Sequence, residues 1–437
     1  MSVAPALTDF VDELTAAIAD ACSRCGKCVE VCPVVPYAGL ARAAPAAVVE
    51  GVLGVLQHGG ALAGEAATWA QQCNGCGACI PACPEGVNPR QMLMLANTRD
   101  AQHESRTPEL FRKMARAIRL MAAMQLAPDD LSRLLRPPAR RDVEVVFYLG
   151  CNAVRTPHVL FNAMYVLDAL GVDYEVSGGP ASCCGIIHAK WEGDVDQGGR
   201  VTGNTLTAFG EMRPQQVLSW CPSCQLHVGE TLAGFQDVEF DFDHITSFLV
   251  VQEDRLRAAY TTPVPMTVLL HGHEGMRELG ENVLRLLHDV PGLTVADVAW
   301  ETGYTCGGSG ADRSPQLKAE QRAETLRRAA ASDIDVLVTL YHGCHRQLAG
   351  EGGAKGIKVL NFTDLLVQAL GGSPRQDAME ALQSLGDWRA IAEAAIPSLR
   401  ANGIAIDAEE LAELLPDVLA QAEFHGGLER FASRTQP

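Results

Sequence analysis

The chain contains no run of about 18 or more apolar residues, so no membrane-spanning helix is expected. Its opening, MSVAPALTDFVDELTAAIADAC, lacks a basic start followed by an apolar core. No export signal is read there, and a cytoplasmic setting is expected, or a peripheral one at the inner membrane face held through a partner. Basic residues are in deficit: 35 Lys and Arg stand against 53 Asp and Glu, a net charge of -18, which argues against nucleic acid as a general partner. The Gly-rich segment Cys306-Gly307-Gly308-Ser309-Gly310 does not follow the dinucleotide fingerprint, so no flavin or nicotinamide site is indicated. No serine or cysteine hydrolase constellation is found either.

What is present is a chain of 437 residues with 47% hydrophobic content, enough for a substantial core and about two to four domains. It also holds 15 cysteines. Without an export signal these are expected to stay reduced, which favours metal or redox chemistry over disulfides. Apolar residues recur at helical steps in TDFVDELTAAIADA, AAVVEGVLGVLQ and ELFRKMARAIRLMAAMQL, so the part up to Arg136 reads as helical. In the last of these, Phe111, Met114, Ile118 and Met121 make an apolar face that fits either packing within the protein or a membrane or partner surface. Arg136-Pro137-Pro138-Ala139-Arg140-Arg141 reads as a linker.

Beyond the linker, strand patterns (VEVVFYLG, DYEVS, QQVLSW) alternate with helical ones, and the order repeats as TVLLHGH, LTVADVAW and DVLVTLY. Such alternation predicts α/β modules with mostly parallel sheets. Gly150 and Gly272, Cys184 and Cys306, and Gly185 and Gly307 are each 122 apart, and Cys221 and His342, and Cys224 and His345, are each 121 apart. So long a period implies tandem domains rather than a solenoid. The expected fold is α+β multidomain: a helical domain at 1–136, α/β modules at 142–262 and 263–372, and a helical extension at 373–437 in which no chemistry is read.

Cys22-Ser23-Arg24-Cys25-Gly26-Lys27-Cys28-Val29-Glu30-Val31-Cys32-Pro33 and the matching run Cys73, Cys76, Cys79, Cys83, Pro84 share the spacing of bacterial ferredoxins. Three closely spaced thiolates on a tight loop reach three irons of one cubane, and the fourth, just before proline, completes the other cluster. Cys22, Cys25, Cys28 and Cys83 are therefore assigned to one 4Fe-4S cluster, and Cys73, Cys76, Cys79 and Cys32 to a second. Zinc sites, built from two separated ligand pairs, suit this spacing poorly. The long, helical interval between the motifs resembles the α-helical ferredoxin domain of succinate dehydrogenase iron-sulfur subunits and of heterodisulfide reductases.

In the first α/β module Cys151, Cys183-Cys184-Gly185 and Cys221-Pro222-Ser223-Cys224 fall where loops meet the C-terminal ends of strands, the usual place for sites in parallel sheets. On their residues alone these thiols fit an iron-sulfur cluster, or a cubane or zinc site with two core thiols to spare. His188 either hydrogen-bonds that centre or is satisfied elsewhere. Residues 15–370 resemble the heterodisulfide reductase catalytic subunits and the iron-sulfur subunits of glycolate oxidase, anaerobic glycerol-3-phosphate dehydrogenase and lactate-utilisation systems. The resemblance includes the order of a ferredoxin domain followed by two Cys-Cys-Gly modules. The resemblance implies that Cys151, Cys183, Cys184, Cys221 and Cys224 hold a noncubane 4Fe-4S cluster, with Cys183 and Cys184 the catalytic pair if thiol chemistry occurs there.

The second module departs from that pattern. Register alignment sets His273 opposite Cys151, Thr305-Cys306-Gly307 opposite Cys183-Cys184-Gly185, and His342 and His345 opposite Cys221 and Cys224. His273, Cys306, His342 and His345 are candidates for one further metal ion, with His271 and Cys344 as stand-ins; the other reading is a degenerate structural module. Several redox centres without an organic-cofactor fold imply a flavin-containing dehydrogenase subunit as partner, and a membrane or soluble carrier (quinone, thiol/disulfide or other) at the far end. The alternative is thiol or disulfide chemistry at the Cys183-Cys184 centre itself.

Overall fold

The structure is a computed structural model and describes residues 6–103, 110–303 and 314–419. Its first part is helical, with the main helices at Leu7–Ala21, Pro45–His58, Gly64–Gln71 and Pro89–His103. Their apolar faces meet in a core of Val48, Val52, Leu53, Trp69, Met92 and Leu95, onto which Cys28 and Cys79 also pack. The cysteine loops are thereby anchored to a rigid helical body. The helix Leu110–Gln125 buries Met114, Ile118 and Met121 completely or nearly so. Its apolar face is an internal packing surface, with Met114 and Ile118 in the core of the α/β part and Met124 against Ile391 and Leu411 of the C-terminal helices.

Two four-stranded sheets follow. The first comprises β1 (Val145–Gly150), β2 (Tyr174–Gly178), β3 (Gln216–Ser219) and β4 (Asp241–His244), in the order β2-β1-β3-β4. The second comprises β5 (Thr267–His273), β6 (Thr294–Glu301), β7 (Val336–Thr339) and β8 (Val359–Asn361), in the order β6-β5-β7-β8. All pairings are parallel, as the alternation of strand and helix requires, and the two topologies are identical. Every residue of β1 and of β7 is buried, which explains their continuous apolar runs. β4 and β8 are short edge strands that the sequence pattern did not announce. The helix after each edge strand is capped by the strand's last residue: His244 Nδ1 accepts the Thr246 N–H at 3.3 Å, and Asn361 Oδ1 accepts that of Thr363 at 3.2 Å.

The modules share one core, in which Phe147 and Leu218 of the first join Leu269 and Leu337 of the second. Trp220 and Phe362 stack across the junction, with ring centroids 6.0 Å apart and planes 8° from parallel. Asn162 Nδ2 donates to Asp364 Oδ1 at 2.7 Å, a buried hydrogen bond between the modules. No helix among the described residues is long and apolar enough to cross a membrane.

Candidate iron-sulfur and metal sites

The two ferredoxin-type motifs meet in a crossed arrangement. Cys22, Cys25, Cys28 and Cys83 line one cavity, together with Val49 and Met92. Burial raises the Cys28 thiol to about 12, and Cys22 and Cys25 add to the rise. Burial likewise raises Cys76, to about 11, with Cys73 and Cys32 alongside. Cys79 rises under burial beside Cys73, Cys76 and Cys32, and also feels Cys28 of the other set. Each motif thus sends its last cysteine to the other's group. Burial keeps these thiols protonated unless a cation lies among them, and an iron-sulfur cluster held there would supply it. Tight loops make the approach possible: Gly26 has φ +80°, and a Cβ there would lie 2.7 Å from Pro45 Cβ. Cys25 is exposed, whereas Cys28 and Cys79 are buried.

The five thiols of the first module are all buried, none more than 6% exposed. They form a linked set in which Cys151 hydrogen-bonds Cys183, Cys183 meets Cys184, Cys184 meets Cys224, and Cys224 meets Cys221. Hydrogen bonds from Cys183 and Cys224 lower the Cys184 thiol, while Cys183 and burial push Cys151 well up. Cys183 Sγ also accepts the Gly185 N–H at 3.4 Å, and Cys224 Sγ lies 3.6 Å from the buried Tyr148 hydroxyl. Gly150 ends β1 at φ +72°; a Cβ on it would lie 2.8 Å from Cys221 Cβ and 3.0 Å from Cys224 Sγ. Sulfur-only donors packed around a bare backbone suit an iron-sulfur cluster. His188 is turned to Glu192, Nδ1 to Oε2 2.7 Å, and packs on Phe111, so its hydrogen bond is satisfied away from the thiols.

A cavity lies between the second ferredoxin-type set and this module, lined by Cys73, Arg90, Ile186, Lys190, Ser223 and His227 among others. Ser223 adjoins Cys224 in the chain and Ile186 follows Gly185, so the two sulfur groups share a wall. Arg90 ties the parts together: it pairs with Glu230 and donates to the Gly75 and Gly275 carbonyls at 2.9 and 3.0 Å.

The second-module candidates do not form one group. Cys306 lies outside the described residues. His273 joins His271 and Cys344, all three fully buried, with His273 Nε2 3.0 Å from Cys344 Sγ and the imidazole centroids 4.7 Å apart. Burial works against charge on His271, but Glu301 and Cys344 outweigh it and raise the imidazole. His345 faces elsewhere, toward His158 and Asp377. His342 belongs to neither trio. Burial, with the Arg346 guanidinium beside it, holds it at about 3, and cations at that position oppose a metal ion.

The cause of this division is register. Tyr148 pairs with Ser219 across β1 and β3, and His271 pairs with Thr339 across β5 and β7. The structural counterpart of Tyr148 is therefore His271, and that of Cys224, five residues past Ser219, is Cys344 rather than His345. Cys221 corresponds to Tyr341. On a helix with about 100° between residues, Cys344 and His345 leave in different directions. The signal was present in the sequence: Gln216–Cys224 and Val336–Cys344 have equal length and both end in cysteine.

Comparison with known families agrees with this geometry. A family described as "4Fe-4S dicluster domain" matches residues 17–87, and one described as "Cysteine-rich domain" matches twice, over 145–229 and 272–349. No curated protein matches the chain. The chain therefore carries a 4Fe-4S dicluster domain followed by two copies of a cysteine-rich domain. It is an iron-sulfur redox protein that binds 4Fe-4S clusters.

Proposed function

We propose that the chain is the electron-transfer subunit of a larger oxidoreductase, passing electrons between a flavin-containing dehydrogenase partner and a quinone, thiol/disulfide or other carrier. The observation that carries this reading is the row of three sulfur groups. An exposed one, at Cys25, leads through the Cys73 set to the buried thiols of the first module. Clusters held by these cysteines supply one-electron chemistry. The protein's part is to place them in sequence, to keep the innermost set from water, and to leave one end open to a redox partner. Anaerobic iron counting tests the scheme. About twelve iron atoms per chain agree with three four-iron centres, whereas about eight confine the chemistry to the dicluster domain and remove the third. Colourless protein with no paramagnetic signal after dithionite would overturn it entirely.

A second reading is thiol or disulfide chemistry at Cys183 and Cys184, favoured by the hydrogen bonds that lower the Cys184 thiol. Cys184→Ser should then abolish turnover while the dicluster domain still accepts electrons, and unchanged turnover eliminates it. For the second module we propose that His271, His273 and Cys344 hold a metal ion; one thiolate and two imidazoles suit zinc or iron.

A further inference from the structure

His158, His345 and Asp377 meet where three parts of the chain join. His158 lies in the first turn of the helix Pro157–Ala169, His345 in the first turn of the helix His342–Ala354, and Asp377 caps the helix Ala378–Gln383. Asp377 Oδ2 is 3.1 Å from His345 Nε2, and Oδ1 is 3.6 Å from His158 Nδ1. The imidazoles meet edge to face with centroids 4.7 Å apart.

We propose that these three side chains bind a divalent transition-metal ion of the zinc type, as a clamp between the two modules and the C-terminal helices. In a tetrahedral site with bonds of about 2.0–2.1 Å, donor atoms are about 3.3 Å apart; here the two imidazoles stand 3.1 and 3.6 Å from the two oxygens of one carboxylate, and one donor atom of each residue lies within 4.8 Å of the others. Two imidazoles and one carboxylate, without sulfur, favour a single borderline ion, zinc or ferrous iron, over the hard ions magnesium and calcium and over iron-sulfur chemistry, and zinc serves as the probe. The fourth position is left for water.

A purely structural hydrogen-bond network accounts for less. It explains the contact between His345 and Asp377, and the Asp377 Oδ1 bonds to the Met379 and Glu380 N–H groups at 2.9 and 3.2 Å. It leaves His158, only 4% exposed, with neither ring nitrogen hydrogen-bonded, and an ion would engage one of them. Buried polar atoms are rarely left so. The proposal stands apart from the electron-transfer reading, because no ligand of the three sulfur groups takes part.

The test is metal counting by mass spectrometry on the full chain after zinc loading and desalting, with iron counted in the same sample. Asp377→Asn and His158→Gln should each lose about one zinc per chain relative to wild type with iron unchanged. Equal zinc in wild type and both variants, or no zinc in wild type, overturns the proposal. Should a variant lose iron as well and prove misfolded, the zinc-edge absorption spectrum of the wild-type chain decides. A zinc population with only nitrogen and oxygen donors supports the clamp, and zinc bound solely in a sulfur-containing shell, as Cys344 would give, refutes it.

Discussion

Replacing Gly150 by alanine is the sharpest probe of how the first module holds its thiols. The residue sits at φ +72°, where an L side chain costs about 1–2 kcal/mol. Its new methyl would meet Cys221 Cβ at 2.8 Å and Cys224 Sγ at 3.0 Å. Neither can retreat easily, since both cysteines are buried and Cys221 is the N-cap of the helix Pro222–Leu226. Overpacking of this kind costs about 1–3 kcal/mol. The sum is about 2–5 kcal/mol, a large share of the about 5–15 kcal/mol that holds a typical domain folded. Because the strain falls on two of five thiols, the variant should lose about four iron atoms while the dicluster domain keeps about eight. Anaerobic iron analysis and thermal melting read both effects. Gly54→Ala is the control: its Cβ meets nothing within 4 Å, inside the helix Pro45–His58, and it should stabilise by up to about 1 kcal/mol. A Gly150→Ala chain with full iron and an unchanged melting temperature would show that the close approach of β1 to the thiols does not matter.

Arg90→Ala removes the ties to Glu230, Gly75 and Gly275. Its side chain is 14% exposed and that of Glu230 28%, so the loss is discounted from that of a fully buried pair to about 2 kcal/mol. Rapid-mixing reduction of the first-module centre should slow with iron content unchanged, and equal rates would dismiss Arg90 as a link. Burial keeps His227 neutral down to about 3 and His244 down to about 4. The unfolded chain binds those protons near 6.5 and the folded chain does not, so stability is retained above that pH and lost below it. From pH 6.5 to 5 each histidine withdraws about 2 kcal/mol. Denaturant titrations should show this loss, and His227→Gln should remove its own share of about 2 kcal/mol; an unchanged pH dependence in that variant would contradict the assignment.

Six of the eight strands can be read in the sequence, most plainly Val145–Gly150 and Val336–Thr339, which are buried throughout, although Thr294–Glu301 is largely exposed. The two that cannot, Asp241–His244 and Val359–Asn361, are edge strands of four and three residues; the first alternates acidic residues with Phe242 and His244 and carries no apolar run. Ferredoxin-type spacing is local, so the cysteines were legible down to the exchange of Cys32 and Cys83. The second module was less legible because its key relation is not local. A constant offset of 121 or 122 treats the repeat as rigid, whereas β1 and β5 are related by 123 residues and β3 and β7 by 120. A shift of that size changes which side chain faces the strand ends. Asp377 was missed for a similar reason: nothing in a polar tail signals that its helix cap meets two histidines far away in the chain.

The asymmetry between the modules follows from these few positions. Both sheets present their C-terminal strand ends in the same way, yet the first offers five thiols and the second offers His271, His273 and Cys344. Five clustered thiols suit an iron-sulfur cluster, whereas a mixed nitrogen and sulfur set suits a single ion, zinc or iron. With zinc in the second module, the proposed electron path ends in the first. The second module packs behind it through Trp220 and Phe362, and through the buried Asn162 to Asp364 bond. It follows that metal loss from the second module should appear first as weakened packing between the modules, and only through that as slower electron transfer.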